Sequence, residues 1–117
     1  MDNRRSLGDR GEELAAAFLK KQGYKILERN YRTPLGEIDL IARHLGALVF
    51  IEVKTRSGGR FGAGQEAVHS GKQARLRKLA DYYLKKKRLG EVTVRFDVVG
   101  ILWRDDKPRI ELIQGAF

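Results

Sequence analysis

The stretch LGEIDLIARHLGALVFIEVKTR, residues 35 to 56, decides how the rest of the chain is read. Two apolar runs, EIDLIA and ALVFIEV, flank RHLG, and this pattern predicts two strands joined by a tight turn near His44 and Leu45. Glu37, Asp39, Glu52 and Lys54 interrupt those runs. Side chains alternate along a strand, so Glu37, Asp39 and Ile41 share one face and Ile38, Leu40 and Ala42 the other. Phe50, Glu52 and Lys54 group together by the same rule. An antiparallel register that sets Asp39 opposite either Glu52 or Phe50 brings the charges onto one surface. A slip of one residue would drive one charged set into the core.

Two carboxylates held this close repel, and burying either one ionised is costly unless a cation answers it. Mg²⁺ does so with one or two carboxylates, several waters and substrate phosphate oxygens. Asp39 and Glu52 are the candidate carboxylates, and the Val53 carbonyl is a further candidate oxygen. Lys54, on the same face, is placed to activate water or to stabilise charge developing on a phosphate.

The chain has 117 residues, enough for one domain with one core, spanning 1–117. Its 24 Lys and Arg against 15 Asp and Glu give a net charge of +9, which suits a polyanionic partner; a merely soluble basic protein would look the same by charge alone. The absence of cysteine excludes disulfides and thiolate metal sites. No apolar run approaches the roughly 20 residues of a membrane span. The first residues lack a signal-peptide core, so the expected location is the cytoplasm, with no membrane partner.

Outward from the hairpin, residues 6 to 22 read as a helix with Leu14, Ala15, Phe18 and Leu19 on its buried stripe. Glu12 leans toward that stripe and Glu13 away from it. Gly8 and Gly11 weaken the first turns by about 1 kcal/mol each relative to alanine, which either a close approach or a frayed start would explain. Residues 24 to 32 read as a strand, with Tyr24, Ile26 and Glu28 on one face and Lys25 and Leu27 on the other; Tyr31 reads as packing.

Residues 55 to 66 carry four glycines between 58 and 64, together with Arg56, Arg60 and Gln65. Two readings stand, a loop that orders over a phosphate backbone and a solvated linker. Ser70-Gly71-Lys72-Gln73 matches a capping box and opens a helix to about Arg88, on which Lys72, Arg75 and Lys78 are candidate phosphate contacts. Residues 92 to 103 and 109 to 113 read as strands with a turn at Asp105 to Pro108. Asp97 reads as structural, and His44 and His69 as incidental.

Asp39 followed thirteen residues later by Glu52-Val53-Lys54 resembles the D...(E)xK signature of the restriction-endonuclease-like nucleases. The segments GDRGEELAAAFL, GYKILERNYR, GEIDLIA, LVFIEVKTR and RFDVV resemble the YraN-like family of small bacterial proteins, similar to archaeal Holliday junction resolvases. That resemblance implies an α/β restriction-endonuclease-like domain, ordered α-β-β-β-α-β-β, with a mixed central sheet flanked by helices. It also implies that Glu12, eleven residues before Gly23-Tyr24, joins Asp39 and Glu52 as a metal ligand, with Glu12, Asp39, Glu52 and Lys54 forming the catalytic set. Mg²⁺, with Mn²⁺ as a substitute, would be the cofactor. Arg56, Arg60, Lys72, Arg75 and Lys78 would bind nucleic acid, DNA in preference to RNA, and cutting two strands would favour a homodimer. The alternative is a nucleic-acid-binding protein that keeps the fold without cutting.

Overall fold

The computed structural model describes residues 7–57 and 70–117. Its elements follow the expected order: α1 (Leu7–Lys21), β1 (Lys25–Thr33), β2 (Gly36–His44), β3 (Ala47–Ser57), α2 (Ser70–Lys86), β4 (Thr93–Arg104) and β5 (Lys107–Ile113). The strands form one sheet in the order β1-β2-β3-β4-β5. β3 and β4 run parallel from Ala47↔Thr93 to Ser57↔Trp103, and every other neighbouring pair is antiparallel. This is a mixed α/β sheet with a helix on each side, the layout of a restriction-endonuclease-like domain.

The central hairpin turns one residue later than the sequence suggests. Leu45 (φ 49°) and Gly46 (φ 80°) supply the two positive φ angles that a two-residue hairpin loop requires, and His44 pairs with Ala47 instead of forming the turn. The β2–β3 ladder runs back from there to Leu40↔Ile51. The paired residues stop there, one step short of Asp39 and Glu52.

Strict alternation lapses in two places. Ile38 packs on the α2 side with Ile41, whereas Leu40 and Ala42 pack on the α1 side, so the grouping of Ile38 with Leu40 and Ala42 is corrected. Asn30 of β1 has φ 49°, a left-handed backbone that asparagine tolerates, in the stretch of β1 that runs beside Asp39. In β1 the register shifts between Ile26 and Glu28, a bulge that puts both Leu27 and Glu28 on the α2 side. Glu28 therefore meets the Tyr83 hydroxyl (3.4 Å) and Lys87 (3.6 Å) instead of sharing a face with Tyr24 and Ile26. Tyr31 is packing, as expected, with its ring edge-on to Tyr83 at 5.0 Å.

The sheet separates two apolar layers. Ala15, Ala16 and Leu19 of α1 close over Leu40, Ala42, Val49, Ile51 and Val99, while Leu76, Leu79, Ala80 and Tyr83 of α2 close over Ile38, Ile41, Leu48, Phe50 and Val98. Each fully buried Leu or Ile contributes about 1.5–3 kcal/mol relative to exposure, so the layers fix both helices against the sheet. α1 ends in a Schellman turn. Gly23 takes φ 92°, and the Tyr24 and Gly23 amides donate to the Leu19 and Lys20 carbonyls.

Gly11 explains itself by contact. A Cβ at that position would stand 2.1 Å from Thr55 Oγ1 and 3.2 Å from Thr55 Cβ, so α1 can lie this close to β3 only without a side chain there. Gly11→Ala is expected to lower stability by about 1–2 kcal/mol, the overpacking outweighing the gain in helix propensity. Adding Thr55→Ala should recover most of the loss in thermal melts, and an unrecovered loss would contradict the contact.

At the hairpin-turn end of the sheet lies a buried polar knot. Asp97 is 1% exposed and accepts from Arg95 (2.9 Å twice), from the Tyr24 hydroxyl (2.6 Å) and from the Gly115 amide (3.0 Å). Its structural role is as expected. His44 is not incidental: its ring stacks on Tyr24 at 4.0 Å and its Nδ1 lies 2.8 Å from an Arg95 nitrogen. Because the guanidinium is a permanent donor, Nδ1 must accept, which puts the proton of a neutral His44 on Nε2. The last turn is also tighter than expected. Asp105 (φ 50°) and Asp106 (φ 60°) alone form it, and Pro108 lies in edge strand β5 opposite Trp103.

Candidate active site

Beyond Leu40↔Ile51 the β2–β3 ladder gives way to a side chain. Asp39 Oδ2 accepts the Val53 amide at 2.8 Å, so the carboxylate is anchored by the strand that carries Glu52 and Lys54. Glu52 is 8% exposed. Desolvation, then the negative charge of Glu52, pushes the Asp39 pKa up from the usual 3.8 to about 7; the Val53 hydrogen bond opposes this only in part, and Glu12 adds to the rise.

Two lysines converge on the same oxygen of Glu52. Lys54 Nζ lies 3.5 Å from Oε1, and Lys72, from the first turn of α2, makes a closer ion pair with that atom. The neighbouring Lys72 and desolvation loosen the proton of Lys54. Burial works against the Lys72 ammonium, but its pairing with Glu52 outweighs this and holds its proton more tightly than usual. Lys72, a candidate phosphate contact in the sequence, here pairs with Glu52.

Glu12 points toward the same region from α1. With its amide nitrogen turned toward the acids, Asn30 donates to Glu12 (2.7 Å) and to Glu37 (3.1 Å). Desolvation raises the Glu12 pKa; Asn30 lowers it, and the charges of Asp9, Glu37 and Glu52 raise it further. A cleft of about 280 Å³ opens beside it, lined by Asp9, Glu12, Glu13, Arg29, Asn30 and Leu40. Glu12 and Asp39 are thus close enough to feel each other's charge. Among the described residues, however, no three acidic or imidazole groups stand together closely enough to share one ion, so the expected three-carboxylate cluster is not assembled in this conformation.

Arg75 and Lys78 are exposed on α2, Arg56 is half-buried on β3, and Arg60 and Gln65 lie outside the described residues. Arg75 reaches over the β1–β2 turn, near Gly36. Sequence reasoning missed Asn30, whose place inside a strand next to the charged hairpin was the available signal. No helix among the described residues is long and apolar enough to cross a membrane.

The family model described as uncharacterised protein family UPF0102 matches residues 11–101, a span that includes Glu12, Asp39, Glu52, Lys54 and Lys72. The chain belongs to this family. Relatives named UPF0102 protein run nearly end to end with it. That of Moorella thermoacetica is 52% identical, covering 97% of this chain and 97% of its own length, and that of Syntrophotalea carbinolica is 48% identical, covering 97% and 93%. This UPF0102 chain therefore aligns with these relatives over nearly the whole of both sequences.

Proposed function

We propose that this UPF0102 protein is a metal-dependent endonuclease that hydrolyses phosphodiester bonds in DNA, with branched or structured DNA as the favoured substrate and the cytoplasm as its place of action. One observation carries the reading: Asp39 accepts the amide of Val53, the residue between Glu52 and Lys54, so a second carboxylate is anchored beside the Glu52–Lys54 pair. Two carboxylates fit the donor set of a hard divalent ion. Asp39 and Glu52, with the Val53 carbonyl, would hold Mg²⁺ or Mn²⁺, and an ion bound there supplies positive charge to a phosphoryl oxygen and to the attacking water. Glu12 lends negative potential from α1.

Lys54 works beside this pair. Its loosened proton suits it to take a proton from the attacking water or to face charge that develops on the phosphate. Arg75 and Lys78 on the open face of α2 hold flanking phosphates, and the +9 net charge draws the polyanion in. Cutting both strands of a duplex calls for two copies about a two-fold axis.

The second reading, a nucleic-acid binder without cleavage, draws on a specific observation: Glu52 is already neutralised by Lys54 and Lys72. A panel of linear, flapped and four-way DNAs incubated with Mg²⁺ or Mn²⁺ separates the two. Cleavage that falls at least about 100-fold in both Asp39→Ala and Lys54→Ala is expected of the enzyme. Identical behaviour of wild type and both variants on every substrate would leave only the binder.

A further inference from the structure

Lys72 and a divalent cation require the same place. The ammonium of Lys72 lies against Oε1 of Glu52, the carboxylate whose charge Asp39 feels, and Lys54 Nζ is 3.5 Å from that same oxygen. Two acids and two lysines thus balance each other in a site where Glu52 is only 8% exposed. A third positive charge added beside Glu52 would meet an ammonium at contact distance, with little water between them to screen it. One cation has to leave. Lys54 is carried on the strand itself, two residues from Glu52, and stays near whatever Glu52 binds. Lys72 comes from a separate element, α2, on a flexible four-carbon stem that can swing without disturbing the sheet.

We infer that Lys72 is a built-in counter-ion that holds the cation's place on Glu52 until a divalent ion and a phosphate arrive together. The inference rests on reading Asp39 and Glu52 as a cation site. A doubly charged ion replaces a singly charged ammonium, with no proton transferred, and the extra positive charge is met by the phosphate that arrives with it. The displaced ammonium needs a new anion, and the nearest one is the phosphate group of the substrate that the ion itself attracts. Ion and nucleic acid therefore bind more tightly together than apart, and Lys72 transmits the coupling. A lysine that only braced α2 against β3 would behave otherwise, because its loss would loosen the fold and weaken ion binding at once.

The test is Mn²⁺ binding to the full chain without nucleic acid, followed by electron paramagnetic resonance at constant pH, for wild type, Lys72→Met and Lys72→Arg. Melting curves of the same samples establish that each variant is folded. Lys72→Met is expected to bind Mn²⁺ about tenfold more tightly than wild type. Lys72→Arg keeps the charge and is expected to stay within about twofold of wild type. Addition of a non-cleavable phosphorothioate DNA should then tighten Mn²⁺ binding in wild type but change it little in Lys72→Met. Equal or weaker binding by Lys72→Met overturns the role of Lys72 while leaving the cation site in place. If neither protein binds Mn²⁺ with or without DNA, both the role of Lys72 and the cation site fall.

Discussion

Asp39→Asn is expected to remove cleavage and, at the same time, to make the protein more stable. The amide oxygen can still accept the Val53 N–H, now made at 2.8 Å, while the repulsion from Glu52 and the cost of shielding a charge from water disappear. At pH 8 the gain is expected to be roughly 2 kcal/mol, since the carboxyl is only partly shielded and solvent reduces the effect. The pH dependence has a definite sign. A carboxyl with a pKa of about 7 when folded and 3.8 when unfolded binds its proton more tightly in the folded state, so wild type gains stability as pH falls from about 7 toward 4. The advantage of Asp39→Asn should therefore be greatest above pH 7 and fade toward pH 4. Excess Mg²⁺ should shrink it as well, because only wild type would be stabilised by the bound ion. Melting curves across pH, with and without Mg²⁺, measure all of this. An advantage independent of pH would mean that Asp39 titrates as an ordinary surface acid.

The second large effect belongs to Asp97, which lies on β4 across from Ile51. Asp97→Ala removes the acceptor shared by Arg95, Tyr24 and the Gly115 amide, and leaves the half-buried Arg95 guanidinium without its carboxylate. Breaking a buried pair from one side costs roughly 3–5 kcal/mol. For a domain of this size that corresponds to a fall of about 10–20 °C in melting temperature. The knot fastens the chain after β5, where the Ala116 amide also donates to the Phe96 carbonyl at 2.7 Å. Residues 114 to 117 should accordingly lose hydrogen-exchange protection in the variant. A melting temperature within a few degrees of wild type would show that the knot does not hold the tail.

These two acids also show how far the sequence could be read. Both interrupt apolar runs, and local patterning separated them: Asp39 came with Glu52 and Lys54 at strand spacing, whereas Asp97 had no such company. The hairpin and the order of elements followed from two-residue periodicity and turn chemistry, which act over short distances, whereas the register stayed open and the turn fell one residue later than expected. Contacts between distant parts of the chain were not legible. Nothing in the spacing of Lys72 shows that the first turn of α2 lands on Glu52, because that depends on how a helix twenty residues downstream crosses the sheet. The His44–Arg95 contact likewise joins groups 51 residues apart. The bulge at Leu27 and the left-handed Asn30 shifted side chains that strict alternation had assigned to the wrong face. Gly11, ambiguous in sequence, became clear only once Thr55 was seen against it.

The central claim is that Asp39 and Glu52 together take a divalent ion where a phosphodiester is cut. Anomalous diffraction from crystals grown with Mn²⁺ and a non-cleavable phosphorothioate four-way junction tests it most directly. The expected result is one strong peak bridging the two carboxylates, next to a backbone phosphate, with Lys72 withdrawn from Glu52. A junction bound with no peak there, and with Lys72 still on Glu52, would contradict it.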